Sequence, residues 1–123
     1  MLSADTLYIQ LFATRIVARN LRSGESQVVQ RDPKSASPRM LVAHFVTSQL
    51  EMKQAVQSVH RGLRGPHVLL HPMERVEGGV TQVEFRVLVE LGRGAGGSRV
   101  GVHVGAPLAD EAVPQAIRDF QLP

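Results

Sequence analysis

The run His67-Val68-Leu69-Leu70-His71, closed at once by Pro72, constrains this chain more than any other stretch. A short unbroken apolar run between Gly65-Pro66 and Pro72 has the pattern of a strand buried on both faces of a parallel sheet. Parallel neighbours need a crossover connection, usually a helix and right-handed. Helical patterns do stand on both sides of it. Before it, Met52, Ala55, Val56, Val59 and Leu63 form one apolar stripe. Thr47 or Ser48 can cap that helix, Ser48 and Glu51 have capping-box spacing, and Gly62 and Gly65-Pro66 stop it. After it, Thr81-Gln82-Val83-Glu84 is a full capping box, with Val83, Val87, Leu88 and Leu91 expected to face inward. The helix is expected to end in the glycines from Gly92 to Gly97. Arg99 to Val104 reads as a further strand. Asp110 to Phe120 reads as a last helix, with Val113, Ile117 and Phe120 on one side and Pro114 tolerated in the first turn.

The N-terminal part has a different period. Leu7, Ile9, Leu11 and Ala13 alternate with Tyr8, Gln10 and Phe12, which predicts a strand. Ile16 to Leu21 gives a second strand that runs into the turn pair Ser23-Gly24, and Gln27 to Gln30 a third. Asp32-Pro33 and Ser37-Pro38 then break regular structure. The expected order is βββαβαβα in one domain over 1–123, without internal repeats. Three antiparallel strands followed by right-handed αβαβα units predict an α/β fold with a five-stranded mixed sheet in the order 3-2-1-4-5.

Composition narrows the class. A chain of 123 residues buries roughly two-thirds of its unfolded surface, enough for one core. The absence of cysteine excludes zinc ribbons, iron–sulfur sites and thiol nucleophiles. No stretch approaches the ~18 apolar residues of a membrane span. The start Met1-Leu2-Ser3-Ala4-Asp5 lacks the basic and apolar regions of a signal peptide. The expectation is a soluble, cytoplasmic domain. Net charge is +3, and 12 of the 14 bases are arginine, concentrated before residue 65. With one Tyr, four Phe and no Trp there are few rings for base stacking, which weighs against nucleic acid.

Candidate chemistry is sparse. The glycine cluster follows a helix and precedes a strand, the reverse of a phosphate-binding loop, so it reads as a helix stop. On a strand His67 and His71 stand about 13 Å apart at ~3.3 Å per residue, too far to share a metal. His103 can approach His71 from the next strand. Glu74, Glu77 and Glu84 follow the carboxyl end of the His67–His71 strand, where open α/β sheets place ligands. A solvated acidic loop and a capping glutamate are the favoured account of them.

Phe45-Val46-Thr47 through Val59-His60, Thr81-Gln82-Val83-Glu84-Phe85-Arg86, and Gly94-Ala95-Gly96 before a strand resemble the MreB-like family of bacterial actin homologues. That family reads threonine-glutamine-valine-glutamate-arginine-arginine and then glycine-alanine-glycine at these places. His71-Pro72 stands where it has valine-proline. The likeness covers residues 40–104 and, by pattern alone, 7–30. It implies a ribonuclease-H-like, actin-like half-fold. It also implies that Gln10, Phe12, Ala13 and Glu84 occupy degenerate nucleotide-site positions. The family's isoleucine-aspartate-leucine-glycine-threonine is here Ile9-Gln10-Leu11-Phe12-Ala13. The metal-serving carboxylate has become an amide, and the glycine that lets backbone approach phosphate has become a ring. Glu84 falls on the glutamate that positions the attacking water. Gly105-Ala106-Pro107 replaces glutamate-glutamate-proline, and the second phosphate loop and second lobe are expected beyond this chain. The loop between Pro72 and Thr81 is five residues longer than the family's.

The resulting expectation is a non-catalytic, actin-like interaction module, without cofactor, metal or small-molecule substrate, tied to cell-shape or cytoskeletal machinery. Its partner is a protein or a second copy of itself. The expected interaction surface combines His71, Glu74, Arg75 and Glu77 with Val28, which should lie on an exposed edge strand. The rival is a ribonuclease-H-like, metal-dependent nuclease, for which Gln10 stands where a carboxylate is wanted. Nucleic-acid binding through Arg15–Arg39 is a third reading, whose signature would be steep salt dependence.

Overall fold

The computed structural model describes residues 4–123. Met1, Leu2 and Ser3, on which the reading of the start partly rests, lie outside the described residues.

The His67–Pro72 run forms β4, and its surroundings explain its composition. It pairs in parallel with both β1 (Thr6–Leu11) and β5 (Arg99–Val102). Helices cover both faces, so Val68, Leu69 and Leu70 are all fully buried. β2 (Arg15–Asn20) and β3 (Ser26–Gln30) extend the sheet antiparallel from β1, giving the order β3-β2-β1-β4-β5. This α/β fold with a five-stranded mixed sheet is the expected one, strand for strand. On one face α1 (Phe45–Val59) crosses β2 and β3, and α2 (Gln82–Gly94) crosses β4 and β5. The two helices touch, Gln49 Nε2 donating to Leu91 O at 3.1 Å. Their apolar sides meet Leu7, Ile9, Leu11, Val68 and Leu70 in the main core. On the other face the short α3 (Val113–Asp119) covers Tyr8 and Leu69 through Val113 and Ile117. A 3-10 turn at Asp110–Ala112 precedes it, and Pro114 sits in its first turn as expected. No helix among the described residues is long and apolar enough to cross a membrane.

Several local expectations are corrected. α1 begins at Phe45 and is capped by His44, whose Nδ1 accepts from Thr47 N at 3.3 Å. Ser48 and Glu51, spaced like a capping box, lie inside the helix and are buried around Arg31. Helix α1 also ends before Gly62. Asp5 Oδ2 accepts from Arg61 N at 2.8 Å and Gly62 N at 2.9 Å, drawing off the amides that a further turn would use. Leu63 therefore lies outside the apolar stripe and is 85% exposed.

In α2 the capping box is present in both directions. Glu84 N donates to Thr81 Oγ1 and Thr81 N to Glu84 Oε1. The buried side is Leu88, Val89, Leu91 and Gly92, whereas Val83 is 70% exposed. The helix continues through Gly92, where a Cβ would stand 2.7 Å from Val100 Cγ1; the missing side chain lets α2 lie close on β5. It ends at Gly94, and the left-handed Gly96 (φ 106) beyond the Ala95 cap closes it, with Gly97 N bonded to Gly92 O and Gly96 N to Arg93 O, the reciprocal pair of a Schellman motif. β5 stops at Val102, short of the expected Val104.

Candidate functional site

The candidate site lies where β1 and β4 end together. Met73 N bonds Leu11 O at 2.9 Å, and the chain then enters the long 73–80 loop. Glu74 turns back and accepts from Ala13 N at 3.0 Å, in the turn between β1 and β2. Arg75 Nη1 donates to Glu74 Oε2 at 2.6 Å, and its Nε donates to Ser37 O at 3.2 Å. One carboxylate and one guanidinium thus tie the 73–80 loop both to the β1–β2 turn and to the segment before α1. Arg75 adopts φ 56, the left-handed region that non-glycine residues enter at a cost of order 1–3 kcal/mol.

Between this loop, the 40–42 segment and α2 lies a groove of about 80 Å³, lined chiefly by Met40, Leu41, Val76, Val80 and Val83, with Glu74, Arg75 and Glu84 at its polar rim. Glu77 is exposed on the same loop, outside the groove lining. The structure therefore brings Glu74, Arg75 and Glu84 together and leaves Glu77 beside them.

His71 does not belong to this surface. Alternation along β4 turns it to the opposite face of the sheet, and it is only 1% exposed. Its expected part in the interaction surface is corrected on that ground. Nε2 faces the Gly105 carbonyl at 2.8 Å and must donate to it, which leaves Nδ1 to accept from Tyr8 OH at 2.6 Å. Tyr8 OH in turn accepts from Leu108 N at 3.3 Å. The His103 ring, one residue beyond β5, meets His71 edge-on with centroids 4.9 Å apart. Burial pushes the His71 imidazole below the usual histidine range; the Gly105 carbonyl opposes this and His103 adds to it. The pair pins the 103–108 segment over the sheet.

The other singled-out residues are dispersed. Gln10 stands half-buried in register between His71 and Val17. Phe12 carries the Arg15 guanidinium 3.9 Å above its ring, and its carbonyl accepts from Arg31 Nη1 at 2.8 Å. Val28 lies on the terminal strand β3, 53% exposed, as an edge position should be. Among the described residues no three His, Asp or Glu side chains are gathered to hold a metal.

Sequence reasoning missed Met40, Leu41 and Val80 because they sit in loops without periodicity. Val83 was legible only as an apolar helix residue, and its exposure follows from the rotation of α2. Arg31 was missed too, since nothing in a lone arginine after a strand signals complete burial.

No protein-family model matches the chain. Over 99 residues it is 29% identical to the uncharacterized protein YjaA of Escherichia coli (strain K12), an alignment covering 74% of this chain and 76% of that one.

Proposed function

We propose that this chain is a non-catalytic protein-interaction module on a ribonuclease-H-like, actin-like half-fold, MreB-like in kind and serving bacterial cell-shape or cytoskeletal machinery. The observation that carries the reading is the Glu74 carboxylate on the Ala13 amide. By the resemblance, this turn is where nucleotide-binding relatives bring backbone to phosphate. Here an anion from the chain's own loop takes that amide, and Phe12 puts a ring where close approach needs glycine. The antiparallel β1–β3 meander continued by parallel β4 and β5 supports the half-fold. Against a nuclease, the middle of β1 offers Gln10 between His71 and Val17 rather than converging carboxylates.

The groove of about 80 Å³ is far below the ~300–1,000 Å³ of small-molecule sites. Its occupant in this reading is an aliphatic side chain of a protein partner, with a basic neighbour on that segment meeting Glu77. Mg-ATP titrated against labelled protein should give no saturable shifts. Saturation at residues 9–14 and Glu84 at sub-millimolar nucleotide would overturn the reading. For the groove, a captured partner should be lost with Val83→Asp; its retention would remove the groove from the interface.

A further inference from the structure

β3 ends the sheet and carries none of the devices that blunt an edge. Its sequence, Ser26-Gln27-Val28-Val29-Gln30, has no charge, no proline and no glycine, and it pairs with β2 in unbroken register from Arg15↔Gln30 to Arg19↔Ser26. The ladder also fixes which backbone groups point outward. Arg31 N bonds Thr14 O and Asn20 N bonds Glu25 O, so Thr14↔Arg31 and Asn20↔Glu25 are hydrogen-bonded pairs. Antiparallel alternation then makes Ile16↔Val29 and Ala18↔Gln27 hydrogen-bonded as well. The amides and carbonyls of Gln27 and Val29 are spent on β2. Those of Ser26, Val28 and Gln30 face away from the sheet.

That outward set is symmetric about Val28. We propose that β3 is a self-complementary edge through which two copies of this chain join, antiparallel, with the two-fold axis at Val28. The axis pairs Val28 with Val28 of the second copy, and Ser26 with its Gln30, each as a reciprocal hydrogen-bonded pair. An isologous contact of this kind closes on itself and does not propagate. The side chains agree with the backbone. Val28 stands across from Val17, so the joined sheets carry a continuous row Val17–Val28–Val28–Val17.

Charge does not oppose the contact. No ionisable side chain lies on β3, Arg19 is paired with Asp110, and Arg15 stacks on Phe12. α1, which lies over β2 and β3, is brought alongside its counterpart, and it exposes Val46 and Leu50. Strand pairing alone buries less than the ~1,200–2,000 Å² of a stable interface, so the dimer forms reversibly with concentration. This inference does not depend on the groove.

Amide exchange of the unmodified protein at low and high concentration tests it directly. The expected result is protection of Ser26, Val28 and Gln30 that grows with concentration, beside constant protection of Gln27 and Val29. Exchange at 26, 28 and 30 that is independent of concentration would overturn the proposal, as would a chain that sediments as a monomer throughout. Val28→Lys and Val28→Glu then address the axis. Each alone should be a folded monomer, because like charges meet across it, and an equimolar mixture should form a one-to-one heterodimer. Single variants that dimerise as the unmodified chain does, or a mixture that stays monomeric, would refute Val28 on the axis.

Discussion

Replacing Arg31 by methionine tests the least expected feature of the core. The Arg31 side chain is fully buried. Its Nε donates to Glu51 Oε1 at 3.0 Å, Nη1 to Phe12 O at 2.8 Å, and Nη2 to Ser48 Oγ at 3.0 Å. Glu51 Oε2 accepts from Asp32 N at 2.7 Å and Ser35 Oγ at 2.9 Å. This cluster joins the end of β3, the segment before α1 and α1 itself. Methionine keeps much of the volume but leaves a nearly buried carboxylate without its counter-charge and the Phe12 carbonyl without a donor. Removing one partner of a buried pair costs about 3–5 kcal/mol, against about 5–15 kcal/mol for the whole stability of a domain. The melting midpoint should fall by on the order of 10–20 °C. Urea unfolding followed by circular dichroism gives the difference, with an unchanged slope showing that two-state behaviour persists. Adding Glu51→Leu to Arg31→Met should recover part of the loss, since the stranded charge is then gone. A loss under about 1 kcal/mol for Arg31→Met, the range of an exposed pair, would refute the reasoning.

Three further outcomes are expected. Burial alone would raise the Asp5 carboxyl, but the amides of Arg61 and Gly62 and the Asn20 side chain hold it below the usual carboxylate range. Its contribution is therefore present above the ordinary carboxylate pKa and lost as pH falls through the lower folded value; Asp5→Asn should flatten that acid limb in pH-dependent urea melts. The His71 pKa is lowered in the fold, so the unfolded chain binds the proton more readily and stability falls as pH drops below about 6.5. An NMR titration should show His71 titrating below the ordinary histidine range, with faster amide exchange over residues 103–108 in acid; a normal His71 titration would contradict this. Glu74→Ala should cost about 1 kcal/mol by orphaning the Ala13 amide, whereas Glu77→Gln should stay within about 0.5 kcal/mol; equal effects in urea melts would mean that the Glu74 contact is not formed in solution.

Much of the fold was written in local pattern. Alternation at Leu7–Leu11, the double-faced run at Val68–Leu70 and the Thr81–Glu84 box each specify backbone within a few residues, and period and capping need no distant partner. Chain order then allowed few sheets, so the 3-2-1-4-5 arrangement followed. What the sequence could not determine depends on which face a residue meets. Ser48 and Glu51 carry the spacing of a cap, yet three-dimensional proximity to Arg31 makes them a buried ion cluster. Val83 reads as core, yet the seating of α2 on Val100 through Gly92 turns it to solvent. His71 and Glu74 are three residues apart and looked like one surface. Strand alternation sends His71 under Tyr8 and Gly105, while the loop returns Glu74 to Ala13 on the other side of the sheet. Local geometry is encoded locally, but burial and pairing are properties of surfaces brought together from far along the chain, and only the tertiary structure decided them.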